Sequence, residues 1–259
     1  MKSILQELKN FGTFVTKIFH AFLQPRTIRW SMTTLESLRM IRQSIPIVLI
    51  SGAFVGGIMA IVFYQQLAVL RATSILGALS SSATMREIAP LLIAFMLSGK
   101  CGAYVSSEIS SMKATDQLDS LRSLGLSDFH LIIMPRVIGI FVAVIFTLFI
   151  GLFSSIVGCM LMATVAFHIH PLQFFEKFDW LVNWTTFGSG FYKCIMFGAA
   201  ISTISCYAGY RSEKTSAGVG RAVQYAAICN MLAIIVLDSF TTHSYETFLK
   251  LIQMLVWRG

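Results

Sequence analysis

Apolar residues in this chain gather into long runs separated by short polar stretches. A helix needs about 20 predominantly apolar residues to cross a hydrocarbon core. Five runs meet or approach that length, at about 47–70, 88–107, 137–167, 191–210 and 222–240. The first and third contain no Asp, Glu, Lys or Arg. The third would reach about 45 Å as one helix, longer than a bilayer core, so it should tilt or project. The second is the least regular, with Pro90 near its start and Lys100 near its middle. The pattern predicts an all-α integral membrane protein with five transmembrane helices and no soluble domain.

Ahead of the first run, Ile4, Leu8, Phe11, Val15, Ile18 and Phe22 follow helical spacing, opposite Lys2, Gln6, Lys9, Thr13, Lys17 and His20. A basic amphipathic helix of this kind lies in the membrane interface. Pro25 interrupts it. A second amphipathic piece, Ser31 to Gln43, sets Leu35, Leu38 and Ile41 against Glu36, Arg39 and Arg42, and Pro46 then opens the first span. Between later spans, Arg71 to Arg86 reads as a polar turn. A short helix, Met112 to Leu124, is expected inside the loop 106–129, ended by Gly125. The segment 168–183 reads as amphipathic and interfacial, and 211–221 as a short loop.

Composition agrees. The chain is 56% apolar and 12% charged, whereas soluble domains carry about 25% charged residues. The net charge of +8 falls mostly between the apolar runs, as topology signals do, which argues against nucleic acid as a partner. With the N-terminus in the cytoplasm, five spans put most Lys and Arg on the cytoplasmic side and the C-terminus on the opposite one. The five cysteines stand singly, without CxxC spacing, and read as small buried apolar residues. No cleavable signal-peptide pattern opens the chain.

Catalytic patterns are missing. Gly99-Lys100-Cys101 lacks the first glycine and the hydroxyl residue of a phosphate-binding loop, and Gly218-Val219-Gly220 lacks its third glycine. His168, His170, Glu176 and Asp179 match no metal-ligand spacing. No catalytic residues, metal or cofactor are therefore expected, and any ATP and Mg would sit on a separate subunit. Two features stand out within the spans. Gly52 and Gly56 form a GxxxG that lets another helix approach closely. Lys100 at mid-span costs about 2.5–3.5 kcal/mol and should face a cavity or a partner.

Three fragments narrow the function. They are Met85-Arg86-Glu87-Ile88-Ala89-Pro90, Met112-Lys113-Ala114-Thr115-Asp116-Gln117-Leu118-Asp119, and Thr215-Ser216-Ala217-Gly218-Val219-Gly220-Arg221-Ala222. In order and spacing they resemble the MlaE-like (YrbE-type) permease family of MCE-system lipid ABC transporters. The resemblance implies a permease domain at 45–242, preceded by interfacial helices at 1–44 and followed by a tail at 243–259. It implies a coupling helix between spans two and three, carried by Met112, Lys113, Thr115, Asp116, Gln117 and Leu118, with Asp116 where the family has Glu. It places a cytoplasmic turn at Gly218, Gly220 and Arg221. It implies a lipid path along Gly52, Gly56, Tyr64, Lys100 and Glu108, with Lys100 where the family usually has Arg.

The implied assembly is a homodimer in the inner membrane with an ABC ATPase, an MCE-domain protein and a small STAS-domain protein, moving phospholipid or a related lipid. Two rival readings from the residues are a membrane-embedded lipid-modifying enzyme and a non-transporting membrane scaffold.

Overall fold

The computed structural model describes residues 2–22 and 30–256. The sequence readings at Leu23, Pro25, Arg26, Arg29, Trp257 and Arg258, and those on the side chains of Lys2, Ile4 and Leu8, lie outside the described residues. Among the described residues every regular element is helical. In chain order they are α1 (Lys2–Phe22), α2 (Trp30–Val69), α3 (Leu76–Ala83), α4 (Ala89–Ala114), α5 (Gln117–Ser123), α6 (Met134–Phe167), α7 (Pro171–Glu176), α8 (Phe178–Leu181), α9 (Trp184–Arg211) and α10 (Ser216–Val256). Five helical stretches, Trp30–Val69, Thr73–Ala114, Phe129–Phe167, Trp184–Arg211 and Ser216–Lys250, are long and apolar enough to cross a membrane.

These stretches overrun the expected spans. Pro46 does not open a new helix; it lies inside α2, which continues through the piece expected to be separate. Membrane helices tolerate an internal proline where neighbouring groups re-satisfy the freed carbonyl. The inward face of that first part is also not the expected one. Thr33, Ser37, Met40, Ser44 and Val48 are buried, while Leu35 and Leu38 are exposed.

The expected polar turn at 71–86 is mostly helix. A short 3-10 turn (Thr73–Ile75) leads into α3, where Ser80, Ser81 and Ser82 are buried. Ser80 Oγ bonds back to the Leu76 carbonyl at 2.6 Å, whereas Ser81 Oγ is buried without a hydrogen-bond partner. The helix expected at 112–124 is broken at Thr115 and Asp116, and α10 continues through the region read as a tail.

Two wide π-helical turns, Thr84–Ile88 and Phe129–Ile133, precede Pro90 and Pro135 respectively. A proline ring in an α-helix meets the carbonyl four residues back, here that of Arg86 or Leu131. A widened turn over that carbonyl relieves the contact.

The chain packs as two units. One comprises Met1–Ile41, Ser98–Ala143 and Gly198–Leu232, and the other Arg42–Leu97, Val144–Phe197 and Ala233–Gly259. In the first, Phe14 of α1 is buried edge-on against Tyr207 and Phe129, and Ala21 packs on Met134. Val15, Phe19 and Phe22 stay exposed. In the second, α2 and α6 touch backbone to backbone. A Cβ on Gly52 would lie 2.7 Å from the Gly151 carbonyl. One on Gly56 would collide with the Ser155 carbonyl, and one on Gly158 with that of Ala53. Ser154 Oγ donates to the Leu49 carbonyl at 2.6 Å and Cys159 Sγ to the Gly56 carbonyl at 3.1 Å. The GxxxG is thus the place where α6 comes closest.

Gly56→Ala should therefore lower the melting temperature of the detergent-purified protein, since overpacking costs about 1–3 kcal/mol. Gly99→Ala, where a Cβ meets nothing within 4 Å, should leave it unchanged or slightly raised. Thermal denaturation followed by circular dichroism distinguishes the two.

Candidate functional site

The break between α4 and α5 is built around Asp116, whose φ of 54° is left-handed. Asp tolerates this conformation better than most residues. Asp116 occupies the N-cap position of α5, yet its carboxylate makes no capping bond. It meets Lys214 Nζ instead, at 2.6 Å. The same ammonium contacts Asp119. Arg122 joins Asp119 at 3.2 Å and Asp128 at 2.6 Å, and donates to the Tyr210 hydroxyl at 3.0 Å. Lys113 Nζ donates to the Tyr210 carbonyl at 2.7 Å.

This cluster lies within the first unit and gathers four segments: the end of α4 with α5, the connection after α5 that carries Asp128, the end of α9, and the connection before α10. Leu118 is buried beneath it, whereas Thr115, Asp116, Gln117 and Leu124 face outward. Of the residues expected to couple to a partner, Met112 and Lys113 belong to α4, Thr115 and Asp116 to the break, and Gln117 and Leu118 to the first turn of α5.

Lys214 hydrogen-bonds Asp119 and so holds that carboxyl below its ordinary value of 3.8, against the opposing effect of burial. The bonds to Asp116 and then Asp119 push the Lys214 ammonium above its ordinary 10.5. The Asp128 carboxylate raises Arg122 in the same way.

Gly218 and Gly220 stand in the first turns of α10 rather than in a turn before it. Thr215 Oγ1 accepts the Gly218 N–H at 3.0 Å and so caps the helix. Arg221 pairs with Glu213 at 2.5 Å.

The residues expected to line a lipid path fall in different places. Gly52 and Gly56 are buried against α6, and Tyr64 stacks on Phe167 with ring centroids 3.6 Å apart. Beside them Ala53, Phe54, Gly57, Ile58, Gly158 and Leu161 border an apolar groove of about 340 Å³. Lys100 and Glu108 belong to the other unit. Glu108 is held by Arg136 at 3.1 Å, with Glu36 a further 3.9 Å partner of that guanidinium. His170 caps α7 by accepting the Leu172 N–H on its Nδ1, which gives it a structural task.

Sequence reasoning missed a third ionic group. Lys193 on α9 is 2% exposed and sits 2.6 Å from Glu87 and 2.8 Å from Asp238. Thr242 donates to both Glu87 carboxylate oxygens at 3.2 Å. The signal was present: Lys193 and Asp238 are opposite charges within the fourth and fifth apolar runs, and such residues usually pair.

The family model for Permease MlaE matches residues 34–243. A probable ABC transporter permease protein of Synechocystis sp. is 29% identical over 226 residues, covering 86% of this chain and 85% of its own. One from Rickettsia conorii is 27% identical over 252 residues, covering 95% and 93%. The intermembrane phospholipid transport system permease protein MlaE of Haemophilus influenzae is 30% identical over 206 residues, covering 77% of each.

Two outcomes are expected. Lys193→Met strands two carboxylates and should destabilise the protein by about 3–5 kcal/mol; adding Glu87→Gln and Asp238→Asn should recover most of it in the same melting assay. The lowered Asp119 adds stability above its ordinary pKa, lost as pH falls through the folded value. The raised Lys214 adds stability below its ordinary pKa, lost as pH rises through the folded value. The cluster should thus hold from about pH 5 to pH 9; proteolysis at Arg122 across that range should show constant protection.

Proposed function

The chain belongs to the MlaE permease family, and from that footing we propose that it is the permease subunit of an ABC transporter for phospholipid or a related lipid. The match across 34–243 carries this reading, together with the phospholipid-transport name of the Haemophilus relative. A separate ATPase supplies the energy, and an MCE-domain protein exchanges lipid with the permease. A STAS-domain protein completes the complex.

The break at Thr115–Asp116 supports α5 as the element that docks on the ATPase. Leu118 anchors it from below, and Gln117 and Leu124 are turned outward, with Leu124 73% exposed. An apolar side chain that far out, next to polar neighbours, suits a groove on a partner.

The exposed apolar face of α10 supports a homodimer. Ile228, Leu232, Ile235, Val236 and Phe240 are all more than half exposed. Its most apolar stretch is 17% buried, against 39–56% in the other four spans. The lipid path then runs where two copies meet. Because Gly52 and Gly56 are seated on α6, the outward side of α2, with Phe54 and Ile58, is better placed to touch lipid. The N-terminus, with α1 lying in the interface, is on the cytoplasmic side of the inner membrane, and the C-terminus on the other.

Affinity capture from a mild-detergent extract tests the docking. Intact protein should retain an ATPase, and Gln117→Arg with Leu124→Asp should retain about tenfold less, equivalent to roughly 1.4 kcal/mol, while still eluting as a folded dimer. Failure of the intact chain to retain any ATPase would remove the permease reading.

A further inference from the structure

Helix α5 is joined by the chain to α4 and α6, but a short charged contact also reaches the connection between α9 and α10. Lys214, in the connection between α9 and α10, lies 2.6 Å from Asp116 and also contacts Asp119, one helical turn further along. An N-cap aspartate usually accepts from the N–H two or three residues on. Asp116 forgoes that bond, so its carboxylate serves Lys214 instead.

The other side of Lys214 is equally constrained. Its neighbour Thr215 caps α10 through the Gly218 N–H. A Cβ on Gly218 would come 2.5 Å from the Glu213 carbonyl, so the connection is folded tightly onto the start of α10. Arg122 and Lys113 tie α5 and α4 to Tyr210 of α9. Among the described residues, Lys214 makes the charged contact that joins α5 to the start of α10.

We propose that Lys214 is a positioning residue that couples α5 to α10, so that a displacement of α5 is passed to the helix bearing the large exposed apolar face. This rests on the reading of α5 as the ATPase-docking element. An isolated exposed ion pair contributes little to stability. Here one ammonium holds two carboxylates on one helix, and its effect is geometric: it fixes the direction of α5 relative to α10 without needing to add much stability. As an exposed contact it weakens with salt.

The test uses the complete transporter in phospholipid vesicles and reads lipid moved per ATP hydrolysed. Lys214→Glu should lower that ratio about fivefold or more, with ATPase capture unchanged. Lys214→Arg should keep the ratio of the natural protein, and rising salt should lower it in the natural protein but not in Lys214→Ala. A second measurement uses the isolated permease, spin-labelled at Ser123→Cys and Gln224→Cys with Cys229→Ser. The distance distribution should be narrow, should broaden in Lys214→Glu, and should narrow again when Asp116→Lys is added. An unchanged ratio and an unchanged distribution in Lys214→Glu would overturn the proposal. If the natural protein captures no ATPase, the docking reading fails, and the distance measurement alone decides whether Lys214 positions α5.

Discussion

In hydrocarbon, helices gain nothing by hiding apolar side chains from one another, because lipid tails are just as apolar. What holds a membrane bundle together is close backbone approach, small hydroxyls and the pairing of every charge. The second unit is organised by that constraint. Gly52, Gly56 and Gly158 bring α2 and α6 within backbone contact. The hydroxyl of Ser154 and thiol of Cys159 then reach carbonyls across the gap. In the first unit, Gly209 plays the same part, since a Cβ there would sit 2.9 Å from the Ser106 carbonyl.

Charge follows the same logic at different depths. Lys193 is buried between Glu87 and Asp238, an arrangement in which losing the lysine leaves two carboxylates without their cation. The cluster around Lys214, Asp116 and Asp119 is its opposite. It is exposed, and each pair in it adds little stability, so what it sets is direction rather than strength.

Much of this was legible in the sequence. Long apolar runs announced the five long helices, and the GxxxG at Gly52 announced a close contact. The inward faces were not legible. In water, the apolar side of an amphipathic helix points to the core; along α2, Thr33, Ser37 and Ser44 point inward and Leu35 outward. Where lipid solvates apolar side chains, periodicity no longer says which face is buried. The serine-rich stretch before Pro90 was misread for the same reason, since Ser80 to Ser82 are buried helix rather than turn. Of the functional candidates, the residues around Asp116 are singled out in the sequence by their resemblance to a family, whereas Lys214 is not. Its contact with Asp116 spans 98 positions of sequence, which no local pattern encodes.

The wide turn at Thr84–Ile88 has a consequence for how this part of the chain tolerates change. A π turn takes in about one residue more than an α turn, and each residue advances a helix by about 100°. The faces of α3 and α4 are therefore out of phase by that amount, and the turn is where the slip is absorbed. A one-residue deletion there would restore plain α-helix and rotate everything before it against everything after it, with no bond in either helix broken. The same length change elsewhere in α4 would have to be absorbed by packing. The turn thus sets the azimuth at which Glu87 is presented to Lys193, independently of how well either helix is formed.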